Sequence, residues 1–156
     1  MKNQRYSVLL VDDHAIIAEG LKSLVDAMDD FSVTAMATNI KEAANLLRQQ
    51  HFNLLLTDYA LPEGNGLELV RLTQEAHLTT RSLILSMHDD TAMVRQALKQ
   101  GAHGYLLKKD SHADLQYAMQ KVMQEGRYIS DSIARAMLVA EEKGEAPRIT
   151  RRERQV

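Results

Sequence analysis

Short apolar runs alternate with longer segments of helical period along most of the chain. The runs are YSVLLV (6–11), FSVTAMA (31–37), FNLLL (52–56), SLIL (82–85) and GYLL (104–107). Several are apolar on consecutive residues, as expected of strands covered on both faces rather than half exposed. Between the first two runs, Ile17, Leu21, Leu24, Val25 and Met28 recur at three-to-four spacing and predict one face of a helix. NIKEAANLLRQQ opens on Asn39, a favoured helix cap, and predicts a second. NGLELVRLTQEA predicts a third, and DDTAMVRQALKQG a fourth with Gly101 placed for a left-handed stop. SHADLQYAMQKVMQEG predicts a fifth, capped by Ser111 and ending near Gly126. Five strand–helix units in strict alternation predict an α/β fold, a parallel sheet with helices on both faces.

After Gly126 the rhythm changes. YISDSIARAMLVAEEKG predicts one more helix, with Ile133, Met137 and Ala140 on one side, and EEKGEAP has the composition of a linker. The last nine residues, RITRRERQV, carry four arginines and one glutamate and are too few for a domain. The whole length of 156 residues suits one domain with a short appendage. A net charge of −2 supplies no global basic field for nucleic acid or anionic membrane. The absence of cysteine excludes disulfides and thiolate metal sites and fits a reducing compartment. No apolar run is long enough to span a bilayer and MKNQRYSV is not a signal peptide, so a soluble cytoplasmic protein is expected.

In an open parallel sheet, functional groups gather beyond the carboxyl ends of the strands. The first run is followed by Asp12 and Asp13, and the third by Asp58 in LLLTDYALPEGNG. The fourth ends at Ser86 in LILSMHDD and the fifth at Lys108 in GYLLKKD, while the second delivers nothing chemically obvious. Three carboxylates packed together raise one another's pKa unless a cation sits among them. An all-oxygen ligand set suits a hard ion that keeps some of its waters, and Mg²⁺ fits best. Asp58 is then placed to attack a phosphoryl group and form an aspartyl phosphate, with Mg²⁺ and Lys108 neutralising the developing charge and Ser86 hydrogen-bonding a phosphoryl oxygen. Taken singly, these residues have plainer readings. Asp12 and Asp13 can cap a helix, Asp58 can form a turn, Ser86 can satisfy a strand end, and Lys108 and Lys109 can be solvated surface charges. Tyr105 can be a core aromatic. His14 and His88 read as solvent-facing, and the methionines at 28, 93, 119, 123 and 137 as core or interface filler.

The set as a whole resembles a receiver domain of a bacterial two-component response regulator, of the NarL/FixJ type, over roughly residues 5 to 126. The resemblance rests on Asp12–Asp13, on Asp58 with Pro62 and Gly66 at the family's spacing, and on Ser86, Tyr105 and Lys108. It implies a flavodoxin-like doubly wound five-stranded sheet of order 2-1-3-4-5, with a C-terminal linker helix. Asp58 would be the phosphoacceptor, fed by a histidine kinase. Asp12, Asp13, Asp58 and the backbone carbonyl of Ala60 would bind Mg²⁺, and Ser86 and Tyr105 would form the switch pair. Phosphoryl contact with Ser86 would draw in the following loop and let Tyr105 move inward. Such a domain is not a classical enzyme, since it catalyses only its own phosphorylation and dephosphorylation. Receivers of this type often dimerise when phosphorylated, through the first and fifth helices or through the fourth helix–fifth strand–fifth helix face, and the sequence does not choose between them.

The same resemblance sets expectations for organisation and rate. Residues 1–127 would be the receiver, 128–147 a linker helix and tether, and 148–156 the opening of a truncated LuxR-type helix-turn-helix domain, through which alone DNA would be bound. Ala60, Met87 and His88 occupy positions that tune the lifetime of the phosphorylated state. Ala60 carries no group to orient an attacking water, which implies slow self-dephosphorylation, and a hydrolysis half-life of seconds would contradict it. Met87 stands where receivers usually carry a small residue. Two rivals are a phosphorylation-independent interaction scaffold and a Mg²⁺-dependent aspartyl-phosphate phosphohydrolase, which would show an Asp-x-Asp motif after the first strand and a cap insertion. A nucleotide-binding protein is disfavoured, because neither G-x-G-x-x-G nor a P-loop is present.

Overall fold

The structure, a computed structural model, describes residues 5–110 and 112–142. Its elements are β1 (Tyr6–Val11), α1 (Ala15–Asp26), β2 (Phe31–Ala37), α2 (Ile40–Gln49), β3 (Leu54–Asp58), β4 (Ala60–Leu61), β5 (Gly64–Asn65), α3 (Leu67–Glu75), β6 (Arg81–Ser86), α4 (Thr91–Lys99), β7 (Gly104–Leu107), α5 (His112–Glu125), β8 (Tyr128–Ile129) and α6 (Asp131–Glu142). One parallel sheet runs in the order β2-β1-β3-β6-β7-β8. The five apolar runs thus appear in the expected order, within a doubly wound α/β fold.

The continuous apolar runs are explained by burial on both faces. Along β1, Val8 and Leu10 pack with Val25 of α1 and with Leu115 and Val122 of α5. Their neighbours Leu9 and Val11 face the other way, onto Ala43 and Leu47 of α2. A third cluster joins Ile84 and Tyr105 to Val70 of α3, Val94 and Ala97 of α4 and Ile133 of α6. Period-two alternation is present in direction, but both directions are apolar.

Local signals place the helix ends. The Asn39 side chain accepts the Glu42 N–H at 2.8 Å, and Glu42 in turn accepts the Thr38 N–H at 2.9 Å, so two donors at the start of α2 are satisfied. Gly101 has φ 115°, and a Cβ there would come within 2.7 Å of the Gln74 side chain, so both conformation and space require glycine. Ser111, expected as the cap of α5, lies outside the described residues.

Three features depart from the sequence expectations. A sixth strand, β8, pairs Tyr128 and Ile129 with Gly104 and Tyr105, where the pattern predicts the start of a helix. Gly126 at φ 81° turns the chain after α5, and the Tyr128 N–H donates to the His103 carbonyl at 2.9 Å. Two residues are too few for an alternation signal to show. A two-stranded hairpin, β4–β5, forms in the loop after Asp58. Ile17, expected on the buried face of α1, is 45% exposed, and Ile16 beside it 89%. Ile17, Leu21 and Leu24 instead border an apolar groove of about 330 Å³ that Leu115 of α5 closes from the other side.

The helix predicted after Gly126 forms from Asp131 and docks on the third cluster. Ile133 and Ala140 are buried and Met137 packs against the third cluster, all three on the predicted side. The Arg95 guanidinium of α4 reaches the Met137 carbonyl at 3.5 Å. The tether and basic stub expected over 143–156 lie outside the described residues. Among the described residues no helix is long and apolar enough to cross a membrane.

Removing the Ile133 side chain tests this docking. Ile133→Ala should lower the unfolding free energy by roughly 2–4 kcal/mol, as for other buried aliphatic truncations. Urea denaturation measures it, and a loss below about 0.5 kcal/mol would mean that α6 is not part of the packed core.

Candidate functional site

Parallel register brings the ends of four runs to one edge. Val11 lies opposite Thr57, Asp58 opposite Leu85, and Ser86 opposite Leu107. The ladder continues one residue further in places, with the Tyr59 N–H donating to Leu85 at 2.7 Å and the Lys108 N–H to Ser86 at 2.8 Å. Residues just past the strand ends therefore fall in a row, because strand spacing and register leave their side chains nowhere else to go.

Asp12 and Asp58 are almost fully buried, at 1% and 3% exposed, whereas Asp13 stands at the rim. The Lys108 ammonium lies 2.9 Å from both Asp58 carboxylate oxygens, with its hydrogen bond directed to Oδ2, and 3.7 Å from Asp12 Oδ2. Asp12 Oδ1 accepts the His14 N–H at 2.8 Å, so the acid also ties down the start of α1. Two buried oxygens, Asp12 Oδ2 and Asp58 Oδ1, have no hydrogen-bond partner. Burial pushes the Asp58 carboxyl up to about 7, the negative charge of Asp12 adds to this, and Lys108 opposes it.

The site fits a divalent cation on three grounds. One ligand atom from each of Asp12, Asp13, His14 and Asp58 lies within 4.8 Å of the others. Asp12 Oδ2 and Asp58 Oδ1 are buried with no hydrogen bond and share one ammonium between them, so their burial is only partly compensated. Finally, the three carboxylates expected from the sequence lie in this group, and Lys108 faces Asp58 and Asp12, leaving two formal negative charges that a doubly charged ion matches. His14 is the member that sequence reasoning missed, because an exposed histidine in a loop has no periodicity to mark it. Its position directly after the acidic pair was the one available signal.

The remaining residues surround this rim. Asp58, Ala60, Ser86, Met87, His88 and Lys108 are among those lining a small cavity of about 80 Å³. Gly66 packs so close behind Asp58 that a Cβ would sit 2.4 Å from the Asp58 carbonyl oxygen, which explains a glycine at a position with ordinary φ. Ser86 Oγ accepts the His88 N–H at 3.0 Å, and the Tyr105 hydroxyl donates to the His88 carbonyl at 3.1 Å. The His88 peptide units thereby connect Ser86 to Tyr105. The Tyr105 ring is fully buried. Met87 is largely exposed and borders both this cavity and the apolar groove.

Without a divalent ion, the raised Asp58 value has a signed consequence. The folded protein holds a proton up to about pH 7 that the unfolded chain releases near the ordinary 3.8. Folding is then favoured below that range, and stability falls as pH rises through about 7. In chelator, urea unfolding of the wild type should show this decline between the two values, and Asp58→Asn should flatten it. Parallel pH profiles for the two proteins would show that Asp58 titrates normally.

A family model described as the response regulator receiver domain matches residues 8–120. The chain is 35% identical over 150 residues to the transcriptional regulatory protein UhpA of Salmonella typhimurium, covering 96% of this chain and 73% of that protein. It is 30% identical over 138 residues to the transcriptional regulatory protein DegU of Brevibacillus brevis, covering 88% of this chain but 58% of DegU. Among solved structures, a LuxR-family two-component response regulator from Aurantimonas superposes with a TM-score of 0.80 at 31% identity, covering 90% of this chain and 99% of that one. With sheet order, acidic rim and family match in agreement, the chain belongs to the response regulator receiver domain family, among relatives that are LuxR-type two-component regulators.

Proposed function

We propose that Asp58 accepts a phosphoryl group from a partner histidine kinase, in a Mg²⁺-dependent reaction, and that the adduct switches the domain's association. The observation that carries this reading is the pair of buried carboxylates, Asp12 and Asp58, that share the single ammonium of Lys108. Asp12, Asp13 and Asp58, with the Ala60 backbone carbonyl, would hold the Mg²⁺. When bound, the ion would screen the carboxylates and the charge on the phosphoryl oxygens.

This chain's own groups then do the rest. One Asp58 oxygen attacks phosphorus, an O–P bond forms, and the P–N bond to the donor histidine breaks with its electron pair passing to the imidazole. Lys108, held 2.9 Å from the carboxylate, shifts its charge onto a phosphoryl oxygen as the carboxylate loses its own. Ser86 accepts a hydrogen bond through Oγ but keeps its proton, which it donates to a second phosphoryl oxygen. That contact pulls on the His88 N–H and, through the His88 carbonyl, fixes the Tyr105 hydroxyl. Phosphorylation would favour this arrangement, with Tyr105 inside.

Two observations favour dimerisation through α1 and α5. On the other candidate face, α6 packs on α4 and β8 pairs with β7, so part of it is covered. The α1–α5 side keeps Ile16 and Ile17 exposed beside an apolar groove. A helix-turn-helix reader continuing from residues 148–156 would be brought onto adjacent half-sites by such a dimer.

Incubation with acetyl phosphate and Mg²⁺, read by intact mass, should give one phosphoryl adduct on the wild type and none on Asp58→Asn. Absence of the adduct would favour an interaction scaffold that signals without phosphorylation. Ser86→Ala should still form the adduct but lose most of the shift toward dimer seen by sedimentation. An undiminished shift would mean that Ser86 does not couple site to association.

A further inference from the structure

Residues 128–142 take no part in the proposed phosphoryl chemistry, yet they are folded onto the strand that carries Tyr105. β8 pairs Ile129 with Tyr105 and Tyr128 with Gly104, so β7 is an inner strand of the sheet rather than its edge. The fit is close, since a Cβ on Gly104 would lie 3.1 Å from the Tyr128 carbonyl oxygen. Along α6, Ile133, Met137 and Ala140 recur at three-to-four spacing. Ile133 shares the third cluster with Tyr105, Val94 and Ala97, and Ile129 and Met137 pack against it. Tyr105 and Ile133 are both fully buried there. At its other end, the Tyr105 hydroxyl donates to the carbonyl of His88, whose N–H is held by Ser86 Oγ. One tyrosine thus joins the hydrogen bonds behind the rim to the packing beneath α6.

We propose that β8 and α6 latch Tyr105 in its buried position, so that their docking and the phosphorylation of Asp58 strengthen each other. The inference rests on the reading of Asp58 as phosphoacceptor and adds to it a regulator carried on the same chain. If the Tyr105 ring left the third cluster, it would leave a cavity beneath α6. If β8 and α6 left, β7 would become a sheet edge with unpaired backbone groups, and the ring would lose part of its cover. Each departure removes support from the other. Phosphoryl contact at Ser86 holds the His88 peptide units where their carbonyl accepts the Tyr105 hydroxyl, and so favours the same arrangement. Such coupling is reciprocal: the factor by which an occupied rim tightens α6 docking equals the factor by which docked α6 tightens the rim's hold on its phosphoryl group. The state of Asp58 is then expressed in how firmly α6 is held against α4.

The test uses the full chain with Mg²⁺ and beryllofluoride, a mimic of the phosphoryl group. Fluorine NMR should show the mimic bound to wild type and not to Asp58→Asn. Hydrogen exchange read by mass spectrometry then reports docking. In wild type the mimic should slow exchange over residues 128–140 about fivefold or more beyond its effect on α2, which packs in a different cluster. Tyr105→Phe keeps the ring and removes only the hydroxyl. Residues 128–140 should then stay as protected as in unliganded wild type, while the added slowing falls below about twofold. Ile133→Ala should weaken binding of the mimic about fivefold, and by less than about twofold when made in Tyr105→Phe. Exchange of α2 shows whether these variants remain folded, and the comparison of wild type with Tyr105→Phe stands without Ile133→Ala. A bound mimic that slows residues 128–140 no more than α2, or equally in Tyr105→Phe, would overturn the latch and leave the phosphoacceptor reading standing. Failure of wild type to bind beryllofluoride would overturn that reading and the latch with it.

Discussion

Two buried carboxylates opposed by a single ammonium are the constraint on which the rest of this molecule turns. Removing Asp12 and Asp58 from water is costly, and Lys108 compensates only part of it, at 2.9 Å from one acid and 3.7 Å from the other. The deficit must be made up by a proton or by a cation. The Asp58 carboxyl, pushed up to about 7, shows the first of these solutions. A divalent ion offers the second, and only that one leaves the Asp58 oxygens unprotonated and nucleophilic. The rim is thus poised between two charge states, with its chemistry tied to which cation it holds.

The sheet exists, for this purpose, to hold that imbalance in place. Acids and lysine separated by up to ninety-six positions meet because parallel strands end in register, and because both faces of those strands are sealed by helices. Gly66 shows how tight the backing is, since even a methyl group would collide with the Asp58 carbonyl. A looser scaffold would let the like charges drift apart and lower their energy by solvation.

The same packing gives the site a route outward. The His88 peptide units are held by Ser86 on one side and Tyr105 on the other. Tyr105 shares its cluster with Val94 and Ala97 of α4 and with Ile133 of α6. Ser86 is therefore joined by hydrogen bonds and packing to the surface on which the C-terminal helix rests. This is physical contiguity between rim and helix, of the kind that a two-state element requires.

Much of this was legible in the amino-acid order. Runs such as YSVLLV and FSVTAMA appear as strands with the boundaries the pattern implies, because doubly covered strands leave an apolar signature that survives any tertiary detail. Asn39 and Gly101 act locally, through a side-chain cap and a positive φ, and local devices are visible in local sequence. The candidate acids and Lys108 were visible for a related reason, since each falls within two residues of the end of a run. Other features were not. β8 is too short to have a period, and Ile17 lies on the apolar stripe of α1 but beyond the reach of the core. His14 looked like a solvated loop residue until its nitrogen was seen beside two carboxylates.

Sequence alone determined the five main strands, the helices between them and which acids stand at strand ends, because these follow from periodicity and adjacency along the chain. Only the tertiary structure decided that Asp12 and Asp58 are buried around one ammonium, that Tyr105 is fully buried, and that α6 lies against α4. Those depend on distances between segments far apart in sequence. Such distances are set by packing, which no single stretch of chain encodes.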